Sequence, residues 1–187
     1  MVPLAFKLTH RPVLVIGAGR IGVGKARILI EAGAKVTMIA DRLCAELPDG
    51  LESIELRRYC AGDLRGYSLV ISATGDPRVN DLVVDEARHR GIWINVVDDP
   101  LRSDFFFTAV HRSGDVIVSI STQGASPALA QEIRARIRES LPRNLGDIAQ
   151  RLKTERRRAQ ASGASTEDID WKPRIRELLA SDGDINC

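Results

Sequence analysis

The chain has 187 residues, 44% hydrophobic and 28% charged, which excludes a disordered polypeptide and supplies a core for one ordinary domain plus a small appendage. Twenty-seven basic against 25 acidic residues leave a net charge of +2, too balanced for a nucleic-acid binder, and 4% aromatics provide few stacking platforms. Cys44, Cys60 and Cys187 stand far apart with no CxxC pair, which argues against a disulfide framework or structural zinc and for a reducing cytoplasm.

The first residues show no charged segment followed by an apolar stretch and a cleavage site, and the apolar run 13–16 is far too short to span a bilayer. That run ends in glycine and reads as a buried parallel strand. A helix is expected over 25–32, with Ala26, Leu29 and Ile30 on one side and Gly33 as its stop. Strands are expected over 35–40, 54–58, 69–74 and 92–97, with a helix over 77–90 closed by Gly91. Alternating strands and helices with short connections predict an α/β fold, a Rossmann-type doubly wound parallel sheet.

Beyond this the pattern changes. Residues 103–110 read as extended and 115–122 as a longer strand. Ser126 and Pro127 read as N-cap and first-turn proline of a helix carrying Leu129, Ile133, Ile137 and Leu141 at helical spacing, until Pro142 breaks it. The remainder is polar and helical, with a charged face over 151–158, a turn at Ser162-Gly163 and a last helix over 166–180. No internal repeat is visible.

Gly17, Gly19 and Gly22 form GxGxxG between an expected strand and helix, the setting a dinucleotide requires. Gly17 would allow the tight turn, Gly19 a close approach to pyrophosphate and Gly22 close helix–strand packing, while the backbone of Arg20 and Ile21 opens the helix toward the anion. An acidic residue normally ends the second strand to hold the ribose hydroxyls. Ala40 holds that place, so Asp41 is the candidate, with a solvated loop carboxylate as the alternative. Arg42 beside it could meet a 2′-phosphate, so the preference for NAD over NADP is modest. Thr74 ends the fourth strand at the cofactor edge, or forms a plain turn before Pro77.

Asn95-Val-Val-Asp-Asp-Pro100 and Ser119-Ile-Ser-Thr-Gln-Gly-Ala-Ser-Pro-Ala-Leu-Ala130 are more specific. With the glycine turn they resemble the precorrin-2 dehydrogenase family, which includes dehydrogenase–ferrochelatases and the N-terminal module of sirohaem synthases. The resemblance runs from about residue 4 to about 149. It implies oxidation of precorrin-2 to sirohydrochlorin with NAD as hydride acceptor, and in some members ferrous iron as a second substrate. It also implies homodimers and three parts: a Rossmann domain over 1–104, a dimerisation region over 105–141 and a helical C-terminal region over 142–187.

The resemblance marks Asp98 as the functional carboxylate, a general base for the proton left after hydride loss. The alternative is a cap for the turn before Pro100. Asp99 ranks below it. Thr122 falls where some sirohaem synthases carry a phosphorylatable serine, so it is a substrate-contact candidate, or a strand-end hydroxyl paired with backbone. A substrate with eight carboxylates calls for guanidinium donors, and Arg102, Arg134 and Arg138 are candidates beside the alternative of solvated surface. His10, His89 and His111 show no ligand spacing, so no metal site is expected. The Leu129–Leu141 stripe is read as a subunit interface, or as core. The rival functional readings are a non-catalytic NAD(H)-sensing module, and an NAD enzyme for an unrelated small acid, which would lack the usual His or Lys base.

Overall fold

The computed structural model describes residues 1–180, so Cys187 and the end of the expected C-terminal region lie outside the described residues. The chain divides into two compact units, Met1–Phe106 and the residues from Phe107 onward.

In the first unit, β1 (Pro12–Ala18), β2 (Lys35–Leu43), β3 (Ser53–Leu56), β4 (Leu69–Ser72) and β5 (Trp93–Val96) form one sheet in the order β3-β2-β1-β4-β5. Every neighbouring pair is parallel, with Val15 facing Met38 on one side and Ile71 on the other. The order reverses between β1 and β4, and ligands of such sheets lie in the crevice outside the carboxyl ends at that point. Val13, Leu14, Val15, Val70, Ile71 and Ile94 are wholly buried, as strands covered on both faces require.

The first helix, α1 (Arg20–Glu31), begins five residues before the expected start at Lys25. Glycine is a poor helix former, but Gly22, Val23, Ala26 and Leu29 are buried, and this packing outweighs intrinsic preference. The second, α2 (Pro77–Arg90), has the expected bounds. Asp76 accepts a hydrogen bond from the Arg78 amide at 2.9 Å, and Gly91 closes the helix in the left-handed region at φ 65°. Of residues 103–110, expected to be extended, only Ala109 and Val110 belong to a strand, although Ser103 has extended backbone at φ −99° and ψ 136°. Residues 103–105 follow a 3-10 turn (Pro100–Arg102) and lie against β5, where Asp104 accepts from the Ile94 amide at 3.0 Å and Ser103 from the Val96 amide at 2.9 Å.

The second unit holds an antiparallel hairpin, β6 (Ala109–Ser113) and β7 (Val116–Ile120), followed by α3 (Pro127–Ser140), α4 (Leu145–Ala161) and α5 (Lys172–Ala180). The hairpin turn meets the first turn of α4 backbone to backbone. A Cβ on Gly114 would lie 3.1 Å from the Gly146 Cα, and the Gly146 amide donates to the Ser113 hydroxyl at 3.0 Å. Helix α5 starts six residues after the expected position at 166, because residues 166–171 fold into turns. The Trp171 indole donates to the Thr166 carbonyl at 3.1 Å, and Asp170 accepts from the Lys172 amide at 3.0 Å. Among the described residues no helix is long and apolar enough to cross a membrane.

Candidate dinucleotide site

The glycine turn joins β1 to α1, and its three glycines are needed for three different reasons. Gly17 sits at φ 103°, and a Cβ there would come within 2.4 Å of the Ala73 carbonyl oxygen. A Cβ on Gly22 would lie 2.1 Å from the Gly17 carbonyl oxygen. Both positions are closed by the chain itself. Around Gly19 nothing lies within 4 Å of an added Cβ, and its φ of −80° suits any residue. The chain's own packing therefore does not require glycine there; close approach by a ligand would.

Gly19 is also the N-cap of α1 and offers no side-chain cap, and the first turn carries no acidic residue. The amide groups opening α1 thus have no carboxylate competing for them, which suits an anion at the positive end of the helix dipole. Arg20 is exposed beside them, and Ile21 is 46% exposed.

A cleft of about 180 Å³ opens at the carboxyl ends of β1, β2 and β4, lined by Gly17, Asp41, Arg58, Tyr59, Thr74 and Asp76 among others. Asp41 is exposed and lies in the last residues of β2. Arg42 is exposed and does not line this cleft. The Thr74 hydroxyl accepts from the Asp76 amide at 3.1 Å, and the buried Ser72 hydroxyl donates to Asn80 Oδ1 at 2.7 Å, so the turn after β4 is tied to α2.

The far wall, residues 57–59, and the turn 60–63 that braces it were missed by sequence reasoning. Arg57 donates to both Asp63 oxygens, at 2.6 and 2.9 Å, and to Glu55 at 2.8 Å, which raises its guanidinium pKa. Glu86 on α2 accepts from the Tyr59 hydroxyl at 2.5 Å, the Gly62 amide at 2.8 Å and Arg90 at 2.6 Å. Burial pushes the Glu86 carboxyl up, but these three donors hold it below its ordinary value. Burial and the Glu86 charge push the Tyr59 phenol up. The signal in sequence was only a scatter of charges, with no periodicity to mark it.

Two residues past the end of β5, Asp98 is exposed and adopts left-handed backbone at φ 62°. The Val97 amide donates to the Ser72 carbonyl at 2.9 Å, which fixes this turn beside the end of β4. Lys25 on α1 is half-buried; burial lowers its ammonium pKa and the Asp98 charge opposes that. Asp99, not Asp98, caps the following turn: it accepts from the Arg102 amide at 3.2 Å and from the guanidinium at 2.6 Å. Arg102 also pairs with Asp81, so two carboxylates already share it.

In the second unit, the Thr122 hydroxyl accepts from the Ser126 amide at 3.2 Å and donates to its carbonyl at 3.0 Å, the backbone pairing of the alternative reading. Arg134 is half-buried on α3, with Nε enclosed and without a hydrogen-bond partner. Ala130 is buried on α3; Ile133, Ile137 and Leu141 are half-buried, and Leu129 is 51% exposed.

Residues 4–109 match the family described as "Putative NAD(P)-binding". The chain is 41% identical over 150 residues to "Siroheme synthase" of Ectopseudomonas mendocina (strain ymp), covering 79% of this chain and 32% of that protein. To "Siroheme synthase" of Tolumonas auensis it is 39% identical over 186 residues, 98% of this chain and 36% of that protein. It thus spans about a third of the length of the curated relatives it matches. The solved structure titled "SirC, precorrin-2 dehydrogenase" shares its fold, with a TM-score of 0.68 and 23% identity over 97% of this chain and 88% of that one. With a glycine turn open to a ligand at Gly19 and the family match spanning the whole parallel sheet, this chain belongs to that NAD(P)-binding family.

Proposed function

We propose that this chain is an NAD-dependent dehydrogenase that oxidises precorrin-2 to sirohydrochlorin. The observation that carries it is the exposure of Asp98 at the carboxyl edge of the sheet that holds the glycine turn, with its charge acting on Lys25, while its neighbour Asp99 is engaged by Arg102. The relatives named "Siroheme synthase" and the fold shared with "SirC, precorrin-2 dehydrogenase" support the choice of substrate.

In this reading Gly17, Gly19, Gly22 and the amides opening α1 hold the pyrophosphate, with Arg20 and Ile21 at its edge. Asp41 takes the ribose hydroxyls, and Thr74 borders the cleft floor. A carboxylate at that edge repels a 2′-phosphate, and Arg42 stands outside the cleft, so NAD is the cofactor. When bound, NAD accepts the hydride. Asp98 takes the proton that leaves with it, so the substrate loses two electrons and two hydrogens. Arg134 and Thr122 contact substrate carboxylates, and Arg102 does so by exchanging one of its two carboxylate partners. Ferrous iron as a second substrate would use the same Asp98 to take pyrrole protons.

We assign 1–104 to the cofactor, 105–141 to dimerisation and 142–187 to a helical C-terminal region. Val110 and Ile117, 39% and 47% exposed on the same face of the hairpin, support the homodimer. A wild-type chain that sediments as a monomer would remove it. The free Cys44 and Cys60 fit a cytoplasmic setting.

The test is an anaerobic assay of precorrin-2 with NAD followed by absorbance, then repeated with ferrous iron. Asp98→Asn is expected to slow dehydrogenation by roughly 10²–10⁴-fold with NADH affinity unchanged, and Asp99→Asn to do much less. Tight NADH binding without turnover of wild type would instead favour a dinucleotide sensor.

A further inference from the structure

The second unit contains a cavity of about 710 Å³ between β6, α3 and the connection to α4. Four arginines line it: Arg112 from β6, Arg134 and Arg138 from α3, and Arg143 from the connection, with His111 beside them. Its single carboxylate is Glu139. Some arginines elsewhere pair with carboxylates, as in Arg57–Asp63, Arg90–Glu86, Arg136–Glu132 and Arg174–Glu155. Among the described residues none of the four cavity arginines has an ion pair. Arg134 Nε is in addition shut off from solvent with no acceptor.

Converging guanidinium groups repel one another, and an enclosed donor without an acceptor is costly, so both features call for an anion. The guanidinium fork matches carboxylate and phosphate geometry, and several forks around one cavity match several such groups. The volume lies in the range of small-molecule sites, roughly 300–1,000 Å³, and exceeds what a single inorganic ion fills. We propose that this cavity binds a small organic polyanion carrying two or more carboxylate or phosphate groups. Through Arg134, which is also assigned to substrate carboxylates above, this rests in part on the dehydrogenase reading; probe binding is read without turnover, so the two can fail separately.

The test is calorimetric titration of the full chain with citrate and, separately, with pyrophosphate at physiological salt. Each titration is repeated on Gly19→Asp, which removes the glycine turn as a competing anion site. At least one probe is expected to bind once per chain; citrate binding alone assigns carboxylates, and pyrophosphate binding alone assigns phosphates. Arg134→Gln and Arg138→Gln should each weaken binding about tenfold or more. Arg156→Gln and Arg157→Gln, exposed on α4, should leave it unchanged. Should Arg134→Gln fail to fold, the exposed Arg138 and Arg143 carry the same test. Binding of neither probe overturns the proposal, as does equal weakening by the α4 variants, which would reveal general charge attraction. It also falls if neither probe binds and Arg138→Gln changes the sedimenting species, since the cavity would then be a subunit contact.

Discussion

In the first unit a covered parallel sheet brings Leu14, Val36, Met38, Val70, Ile71, Val83 and Ile94 to zero exposure. Among the described residues of the second, only Ala109, Ala130, Ile148 and Leu178 count as buried apolar residues, and they retain 4–7%. A two-stranded ribbon with three helices offers less apolar surface to enclose. Much of what joins its elements is polar: Lys153 to Asp115 at 2.7 Å and Arg174 to Glu155 at 2.7 Å. Exposed pairs of this kind add little to stability, because solvent screens them. The first unit is built to hold a rigid edge; the second leaves apolar and cationic surface for something else to cover.

That contrast can be broken most forcefully in the cores. Leu14→Ala should cost roughly 4–5 kcal/mol, near the top of the usual range, and Ile148→Ala about 2 kcal/mol, because a loosely packed site collapses around the lost atoms. Calorimetry of the two variants reads this directly, and equal losses would erase the difference between the units.

The glycine turn sharpens it next. Gly22→Ala forces a methyl against a backbone carbonyl and should lower stability by about 3 kcal/mol. Gly19→Asp meets open space and should stay within about 0.5 kcal/mol of wild type by thermal melting, yet lose NADH affinity at least tenfold. Retained affinity would detach the turn from the cofactor.

A smaller effect concerns pH. Glu86 titrates below its ordinary value of 4.5 in the fold, so its contribution is present above that value and is lost as pH falls through the folded pKa. Glu86→Gln should therefore flatten the acid limb of the stability profile below about pH 4.5 while leaving the second unit's melting untouched. An unchanged acid limb would show that Tyr59, Gly62 and Arg90 do not depend on that charge.

The smallest effect is at Asp98. Left-handed backbone costs a non-glycine residue about 1–2 kcal/mol, less for aspartate, and glycine pays back part in chain entropy. Asp98→Gly should raise stability by about 0.5 kcal/mol while abolishing the proposed proton transfer. A drop in melting temperature would mean that the side chain supports the fold.

The sheet, α2 and the start of α3 were legible in the sequence because each has a local cause: continuous apolar runs for the strands, Asp76 and Gly91 as caps, Ser126 with Pro127. The start of α1 was not, since glycine content hid a helix that tertiary packing imposes. The glycine turn could be read by spacing, and Asp98 only through resemblance. Its separation from Asp99 became visible once Arg102 was seen to engage one carboxylate and leave the other. The 57–59 wall of the cleft, Lys25 beside Asp98, and the joining of Arg134 and Arg138 with Arg112 and Arg143 in one cavity were not legible, because they bring together residues with no pattern linking them along the chain.

The seam between Gly114 and Gly146 closes a loop, residues 115–145, that contains β7, α3 and most of the arginine cavity. Loop-closure entropy grows only with the logarithm of length, so doubling such a loop costs about 0.6 kcal/mol. A methyl at either glycine, by contrast, meets backbone at 3.0–3.1 Å that has no side-chain freedom with which to retreat. The second unit should therefore accept insertions near Arg143 far more readily than a single added carbon at the seam, and a graft at that point could widen the cavity without unfastening the hairpin from α4.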